Sequence, residues 1–70
     1  MKLSKIVEHL IDDCQKNIEE TEDKEYIISN YEAIKELEKV KTVKELLKVF
    51  DEDYILPHFE LNSIKEIEED

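Results

Sequence analysis

The sequence contains no glycine, no arginine and no tryptophan, and it has one proline and one cysteine among its 70 residues. Hairpin turns, phosphate-binding loops and left-handed helix caps all draw on glycine, so a chain without it is poorly suited to each of them. The absence of glycine therefore favours helices joined by polar connections. Without arginine, the chain also lacks the planar side chain that grips phosphate in two places at once.

The single cysteine, Cys14, rules out an intramolecular disulfide and fits a reducing compartment. No stretch of the sequence is long and apolar enough to span a membrane. The N-terminal segment does not match a secretory signal, because charged residues interrupt its apolar residues. We therefore expect a cytoplasmic protein, located in the cell that produces it or in a host cell.

The charge of the chain is strongly one-sided. Twenty acidic residues stand against ten lysines, which gives a formal net charge of −10 at pH 7. A field of this sign repels nucleic acid and anionic lipid, and it attracts basic surfaces. We therefore expect no direct nucleic-acid binding and no membrane association, and we expect a protein partner with a basic surface.

The length predicts a single domain, residues 1–70, with a thin core, because a chain of this size buries only about 60% of its unfolded surface. The apolar residues are mostly large and branched, and they recur periodically, so the chain is expected to fold. Its stability must come from well-packed helices or from self-association, most simply as a homodimer.

Helical spacing of apolar residues predicts a first helix from Leu3 to Thr21 and a second from Lys24 to Val40. The predicted apolar stripe of the first contains Leu3, Ile6, Val7, Leu10, Ile11, Cys14 and Ile18. The predicted stripe of the second contains Ile27, Tyr31, Ile34, Leu37 and either Val40 or Lys41. Both patterns are typical of helices that bury one face.

Thr42 and Glu45 match a capping box, which predicts a third helix from Val43 to Phe50. This helix is expected to end near the acids 51–53, since the helix dipole disfavours acids at a C-terminus. The alternative is one long helix from Lys24 to Phe50, because nothing in the connecting sequence forbids it.

Pro57 disfavours helical backbone at Leu56, so residues 54–61 are expected to form an extended segment or a short strand. Ser63 and Glu66 match a second capping box, which predicts a last short helix. Residues 66–70 are expected to form a frayed acidic tail. The predicted fold class is all-α, a small bundle of three to four short helices with an extended segment around Pro57.

The side chains offer little catalytic chemistry. His9 with Asp12 or Asp13 gives two metal ligands on one helix face, and His58 and Cys14 complete a set only if the fold brings them together. Cys14 lies on the apolar stripe, where burial raises a thiol pKa and makes the thiol inert. We therefore expect no metal site, no cofactor and no enzymatic activity.

Two features indicate a binding surface. Acids three or four residues apart on a helix lie about 5–6 Å from each other, close to the spacing of phosphates along a nucleic-acid strand. Aromatic residues on a polar background are typical contact anchors, although Tyr54 and Phe59 could instead fill the core. The predicted partner-binding residues are Glu19, Glu20, Glu22, Asp23, Glu25, Asp51, Glu52, Asp53, Tyr54 and Phe59.

These features predict a small inhibitor or regulator that acts by stoichiometric binding to a protein. It would occlude a basic surface, for example one that binds nucleic acid, as a nucleic-acid mimic of the kind that phages and other mobile elements encode. The alternative is a homo-oligomeric structural or assembly module whose amphipathic helices self-associate, which the thin core favours.

Overall fold

The computed structural model describes all 70 residues and contains four helices and one short 3₁₀ turn. The helices are α1 (Leu3–Glu20), α2 (Lys24–Leu37), α3 (Val43–Val49) and α4 (Glu52–His58), and the 3₁₀ turn is Ile64–Glu66. There is no strand, so the predicted all-α bundle is confirmed. None of these helices combines the length and the apolar character needed to cross a membrane.

One apolar cluster holds the four helices together. It takes four side chains from α1, one from each of the other helices and one from the C-terminal segment: Leu3, Ile6, Leu10, Cys14, Leu37, Leu46, Ile55 and Ile67. The α1 members recur every three or four residues, so they share one face of that helix. Leu46 and Ile55, both fully buried, are the only buried residues of α3 and α4. Partly buried side chains next to them, Val43 and Val49 of α3, also pack against the cluster.

The buried face of α2 differs from its predicted stripe. Leu37 is buried as expected, but Tyr31 is 55% exposed and Asn30 is buried in its place. Asn30 and Leu37 are seven residues apart and so lie on one face, from which Tyr31 is turned by about 100°. The assignment of Tyr31 to the core face was therefore wrong, because apolar periodicity alone does not predict that the polar side chain of Asn30 is buried on that face.

The predicted caps are present. The side chain of Thr42 accepts a hydrogen bond from Glu45 N (3.1 Å), and the carboxylate of Glu45 accepts one from Thr42 N (3.0 Å). Ser63 and Glu66 form the second capping box in the same way. Thr42 has an extended backbone, with φ −131° and ψ 158°, so α2 and α3 are separate helices rather than one.

The extended segment predicted around Pro57 was wrong, because residues 52–58 form α4 with Pro57 inside its last turn. The fixed φ of proline is compatible with a helix, and the missing N–H removes only one hydrogen bond, to the exposed carbonyl of Asp53. Asp51 is the N-cap residue of α4, and Glu52 and Asp53 lie in its first turn. The helix dipole favours acids at a helix N-terminus. The acids 51–53 therefore follow the end of α3, as predicted, and also stand at the start of α4.

Helix α4 ends in a left-handed cap at Glu60, whose φ is +55°. The backbone N–H of Leu61 donates to the carbonyl of Leu56 (2.8 Å), and that of Glu60 donates to Pro57 (3.3 Å). This pair of bonds is the Schellman arrangement, in which glycine usually takes the left-handed position. The absence of glycine was expected to disfavour such caps, and here a glutamate adopts the conformation instead.

The acidic tail, residues 66–70, is hydrogen-bonded to other parts of the fold, although the sequence suggested fraying. Leu3 N donates to the carbonyl of Glu68 (2.8 Å), Ser4 N donates to Asp70 Oδ1 (3.1 Å), and Val43 N donates to Glu69 Oε1 (2.9 Å). These amides lie in the first turns of α1 and α3, where the helix itself offers no acceptor. Carboxylates from the C-terminal segment satisfy two of them.

Candidate functional site

A cleft of about 480 Å³ lies between α1, α2 and the junction of α3 with α4. Three aromatic side chains line it, Tyr26 from α2, Phe50 from the junction and Tyr54 from α4. The only charged residues in its lining are Asp13 and Asp51, and no lysine contributes to it. The cleft is therefore an aromatic surface of negative charge.

A polar bridge crosses the cleft between the two long helices. Asn17 Nδ2 donates to Asn30 Oδ1 (3.2 Å), and Asn30 Nδ2 donates to the carbonyl of Tyr26 (2.8 Å). Asn30 is only 7% exposed, so these bonds offset the loss of water from its amide group. The bridge fixes the register of α1 against α2 and so positions Tyr26 along the cleft.

The two tyrosines of the cleft remain accessible. Tyr26 is 46% exposed and Tyr54 is 44% exposed. Tyr54 stacks between Phe50 and His58, with ring centroids 5.1 Å from each and interplanar angles of 20° and 17°. Because its neighbours hold the Tyr54 ring on both sides, that ring loses little further freedom when a partner contacts it.

The environment of Tyr54 keeps its hydroxyl protonated. Desolvation raises the pKa of Tyr54, and Asp13, Cys14 and Tyr26 raise it further. A protonated phenol can donate a hydrogen bond, whereas a phenolate cannot. The cleft therefore offers hydroxyl donors and acceptors beside its carboxylates.

The predicted acidic residues are all exposed, and none of them forms an ion pair with a lysine. Asp51 lies in the cleft itself, and Glu52 and Asp53 follow it in the first turn of α4. The other run, residues 19–25, covers the end of α1, the turn 21–23 and the start of α2, and it ends next to Tyr26. The two runs therefore adjoin the cleft along the chain, at Tyr26 and at Asp51. Asp23 also caps α2, since its carboxylate accepts from Glu25 N (3.0 Å).

The two aromatic residues of the prediction differ in burial. Tyr54 is exposed in the cleft, as a contact residue should be. Phe59 is half-buried, packs against the apolar cluster and meets the rings of His9 and His58 edge to face. Phe59 therefore packs against the core, whereas Tyr54 remains accessible and stays a predicted contact residue.

A second face, between α2 and α3, has a different charge pattern. Lys35, Lys39 and Lys48 line it together with three glutamates, Glu32, Glu36 and Glu45. The charges of this face balance, whereas those of the cleft are all negative. The negative net charge of the chain is thus not spread evenly over its surface.

His9, Asp13 and His58 converge beside the cleft. Asp13 Oδ2 lies 2.9 Å from His58 Nε2 and 3.7 Å from His9 Nε2. One ligand atom from each of the three residues lies within 4.8 Å of the other two, which is the spacing of potential metal ligands. The sequence showed that His9 and Asp13 share a helix face, but the approach of His58 depends on α4, which was not predicted.

Cys14 takes no part in this group. It is buried in the apolar cluster, and its pKa is raised first by desolvation and then by the charge of Asp13. The expectation that Cys14 is buried on the apolar stripe is confirmed. The hydrogen-bond partner of His58 is Asp13 (2.9 Å), which belongs to the group that excludes Cys14.

No pattern in the sequence indicated the Asn17–Asn30 bridge, and none placed Asp13 in the cleft. An asparagine in a helix is expected to be exposed unless a hydrogen-bonding side chain on the facing helix is known. No protein-family model, curated protein or solved structure matches this chain.

Proposed function

We propose that the protein is a small inhibitor or regulator that binds a basic protein surface through the acidic cleft between α1, α2 and α4. The observation that carries the proposal is the composition of that cleft. Its charged side chains, Asp13 and Asp51, are both acids, and they stand beside two accessible tyrosines. Concave sites with aromatic walls and a few polar groups are the usual form of specific binding sites.

The chemistry of the cleft suits a lysine or arginine side chain of the partner. A cation that enters the cleft would lie against the exposed ring of Tyr26, because an aromatic face attracts positive charge and both faces of the Tyr54 ring are covered by Phe50 and His58. Asp51 would then accept hydrogen bonds from the same cation, and such charge-assisted bonds are stronger than neutral ones. The runs 19–25 and 51–53 would pair with further basic groups around it.

The mechanism is occlusion. One chain binds one partner and covers a surface that otherwise holds an anionic ligand such as nucleic acid, without catalysing a reaction. The unpaired carboxylates support this proposal, because they are exposed and need not be released from lysines of their own chain before they bind. We place this activity in the cytoplasm of the producing cell or of a host cell, and a mobile-element origin fits the small size and the charge.

Affinity capture with paired charge variants tests the proposal. The cleft variant is Asp51→Asn/Asp53→Asn, which changes Asp51 in the cleft and Asp53 in the acidic run beside it. Its matched control is Glu32→Gln/Glu36→Gln on the balanced face. Each pair changes the net charge from −10 to −8. Capture is carried out at about 50 mM and about 500 mM salt, because screening weakens exposed charge interactions at the higher concentration.

The proposal expects a partner that the wild type and the control retain at low salt, and that the cleft variant loses. Retention should fall at the higher salt for both binders. Equal retention by the cleft variant and its control would contradict the proposal, since binding would then depend on total charge alone. Capture that is unaffected by salt would contradict the electrostatic mechanism.

One observation favours the alternative, a self-associating module. Ile28 and Tyr31, three residues apart on α2, are 56% and 55% exposed, and they form an apolar patch away from the core. A second copy of the chain could cover this patch. Light scattering over a roughly hundredfold range of protein concentration tests it, since a dimer dissociates on dilution. A dimer that Ile28→Lys converts to a monomer would support the module, and a monomer throughout would reject it.

A further inference from the structure

We propose that His9, Asp13 and His58 form a binding site for one divalent transition-metal ion, for which Zn²⁺ is the representative. The inference goes beyond the proposed function and does not depend on it. The structure brings together two imidazoles and one carboxylate from two different helices. This set matches the histidine and carboxylate ligands of open zinc sites, which leave one position for water or another ligand.

The distances fit such a site. Zinc lies about 2.0–2.2 Å from nitrogen and oxygen ligands, so neighbouring ligand atoms of a tetrahedral site lie about 3.4 Å apart. The Asp13 Oδ2 to His58 Nε2 distance is 2.9 Å, and the Asp13 Oδ2 to His9 Nε2 distance is 3.7 Å. These values lie on either side of the ideal separation. All three ligand atoms lie within 4.8 Å of one another, so the two imidazoles would rotate towards a common ion to reach the ideal separation.

Aromatic rings contact both histidines and cover His58 more than His9, whose side chains are 30% and 57% exposed. The ring of His58 stacks on Tyr54, with centroids 5.1 Å apart, and it meets the ring of His9 edge to face at 5.6 Å. Phe59 contacts both imidazoles, with centroids at 5.3 Å from His9 and 4.9 Å from His58. Ligands whose orientation is fixed by packing lose less freedom when the ion binds.

The type of ligand selects the type of ion. Two imidazole nitrogens and one carboxylate suit zinc and its neighbours in the first transition row, whereas calcium and magnesium require more oxygen ligands. The net charge of −10 raises the concentration of cations around the chain. Because His9 and Asp13 belong to α1 and His58 to α4, the bound ion would clip α4 to the longest helix.

Zinc titration of tag-free protein tests the site, since a polyhistidine tag would itself bind the metal. Calorimetry should show one Zn²⁺ per chain for the wild type. His9→Gln and His58→Gln should each weaken binding at least tenfold. Asp12→Asn is the matched control, because Asp12 is the exposed neighbour of Asp13 and lies outside the group. It should bind zinc as the wild type does.

Thermal unfolding gives a second readout that does not require any activity. Zinc at about 100 times its dissociation constant should raise the midpoint of the wild type and of Asp12→Asn by roughly 10–20 °C. It should raise the midpoints of the two histidine variants much less, while circular dichroism in a chelator shows that they are folded. Absence of saturable binding to the wild type would overturn the proposal. So would histidine variants that bind zinc as tightly as Asp12→Asn does.

Discussion

Asn17 and Asn30 join the two longest helices through one side-chain hydrogen bond, from Nδ2 of the first to Oδ1 of the second (3.2 Å). Asn30 is buried, and its own amide group donates to the carbonyl of Tyr26 (2.8 Å). No buried side-chain polar atom of the protein lacks a hydrogen-bond partner. The bridge thus accommodates a polar residue at the position where the apolar periodicity of α2 predicted a hydrophobic face.

Substitution Asn17→Ala removes the donor and leaves Asn30 Oδ1 without its partner. We expect a loss of about 1–3 kcal/mol in the free energy of unfolding, because an unsatisfied buried group keeps its full desolvation penalty. The double variant Asn17→Ala/Asn30→Ala should lose less than the sum of the single losses, with a coupling of about 0.5–1.5 kcal/mol. Urea unfolding of the four proteins measures this cycle, and strict additivity would show that the bond contributes nothing.

Substitution Glu60→Gly is expected to stabilise the protein. Glu60 has φ +55°, and a left-handed conformation costs a residue with a Cβ about 1–2 kcal/mol. Glycine avoids this cost but gains freedom in the unfolded chain, so we expect a net gain of about 1 kcal/mol. That gain corresponds to a rise of about 4–8 °C in the unfolding midpoint of a domain of this size.

The control for this prediction is Glu60→Ala, which removes the same charge but keeps the Cβ. Its unfolding midpoint should stay near that of the wild type. If alanine and glycine raised the midpoint equally, the stabilisation would come from the lost charge and not from the backbone.

Asp70 should make the stability sensitive to acid. Hydrogen bonds from the hydroxyl and then the backbone amide of Ser4 lower the pKa of the Asp70 carboxyl below its ordinary value. A carboxyl whose folded pKa is lowered stabilises the fold above its unfolded pKa, and this contribution is lost as the pH falls through the folded pKa. Stability should therefore decline as the pH falls below about 4, the ordinary value for aspartate.

Urea unfolding between neutral and acidic pH measures this dependence. Asp70→Asn should be less stable than the wild type at neutral pH, and the difference should shrink as the pH falls below the ordinary aspartate range. Asp12→Asn removes one charge from an exposed residue of α1 and serves as the control. A difference between Asp70→Asn and the wild type that stays constant with pH would contradict the assignment.

The sequence predicted the parts of the fold that depend on local signals. The stripe of α1 and the capping boxes at Thr42 and Ser63 are each contained in a short window, and all three are present in the structure. Where the outcome depends on a distant partner, the prediction was wrong. Asn30 is buried because Asn17 lies opposite it, and neither residue indicates this alone.

The region after α3 shows a second limit of sequence reasoning. Pro57 predicted an extended backbone. A short helix nevertheless tolerates proline in its last turn, because only one hydrogen bond is lost. The helical form of residues 52–58 brings Tyr54 to the cleft and His58 to Asp13. The sequence named Asp51 and Tyr54 as candidate binding residues, whereas their convergence with Asp13 depends on the path of α4.

Under the proposed function, basic groups bind to the cleft and not to the negative charge of the chain as a whole. Nuclear magnetic resonance of ¹⁵N-labelled protein titrated with a short arginine-rich peptide tests it most directly, because each backbone amide reports separately. We expect shifts concentrated at Tyr26, Asn30, Asp51 and Tyr54, and we expect them to shrink when salt is added. Shifts spread evenly over the exposed acids, or concentrated between α2 and α3 around Glu32 and Glu36, would contradict the claim.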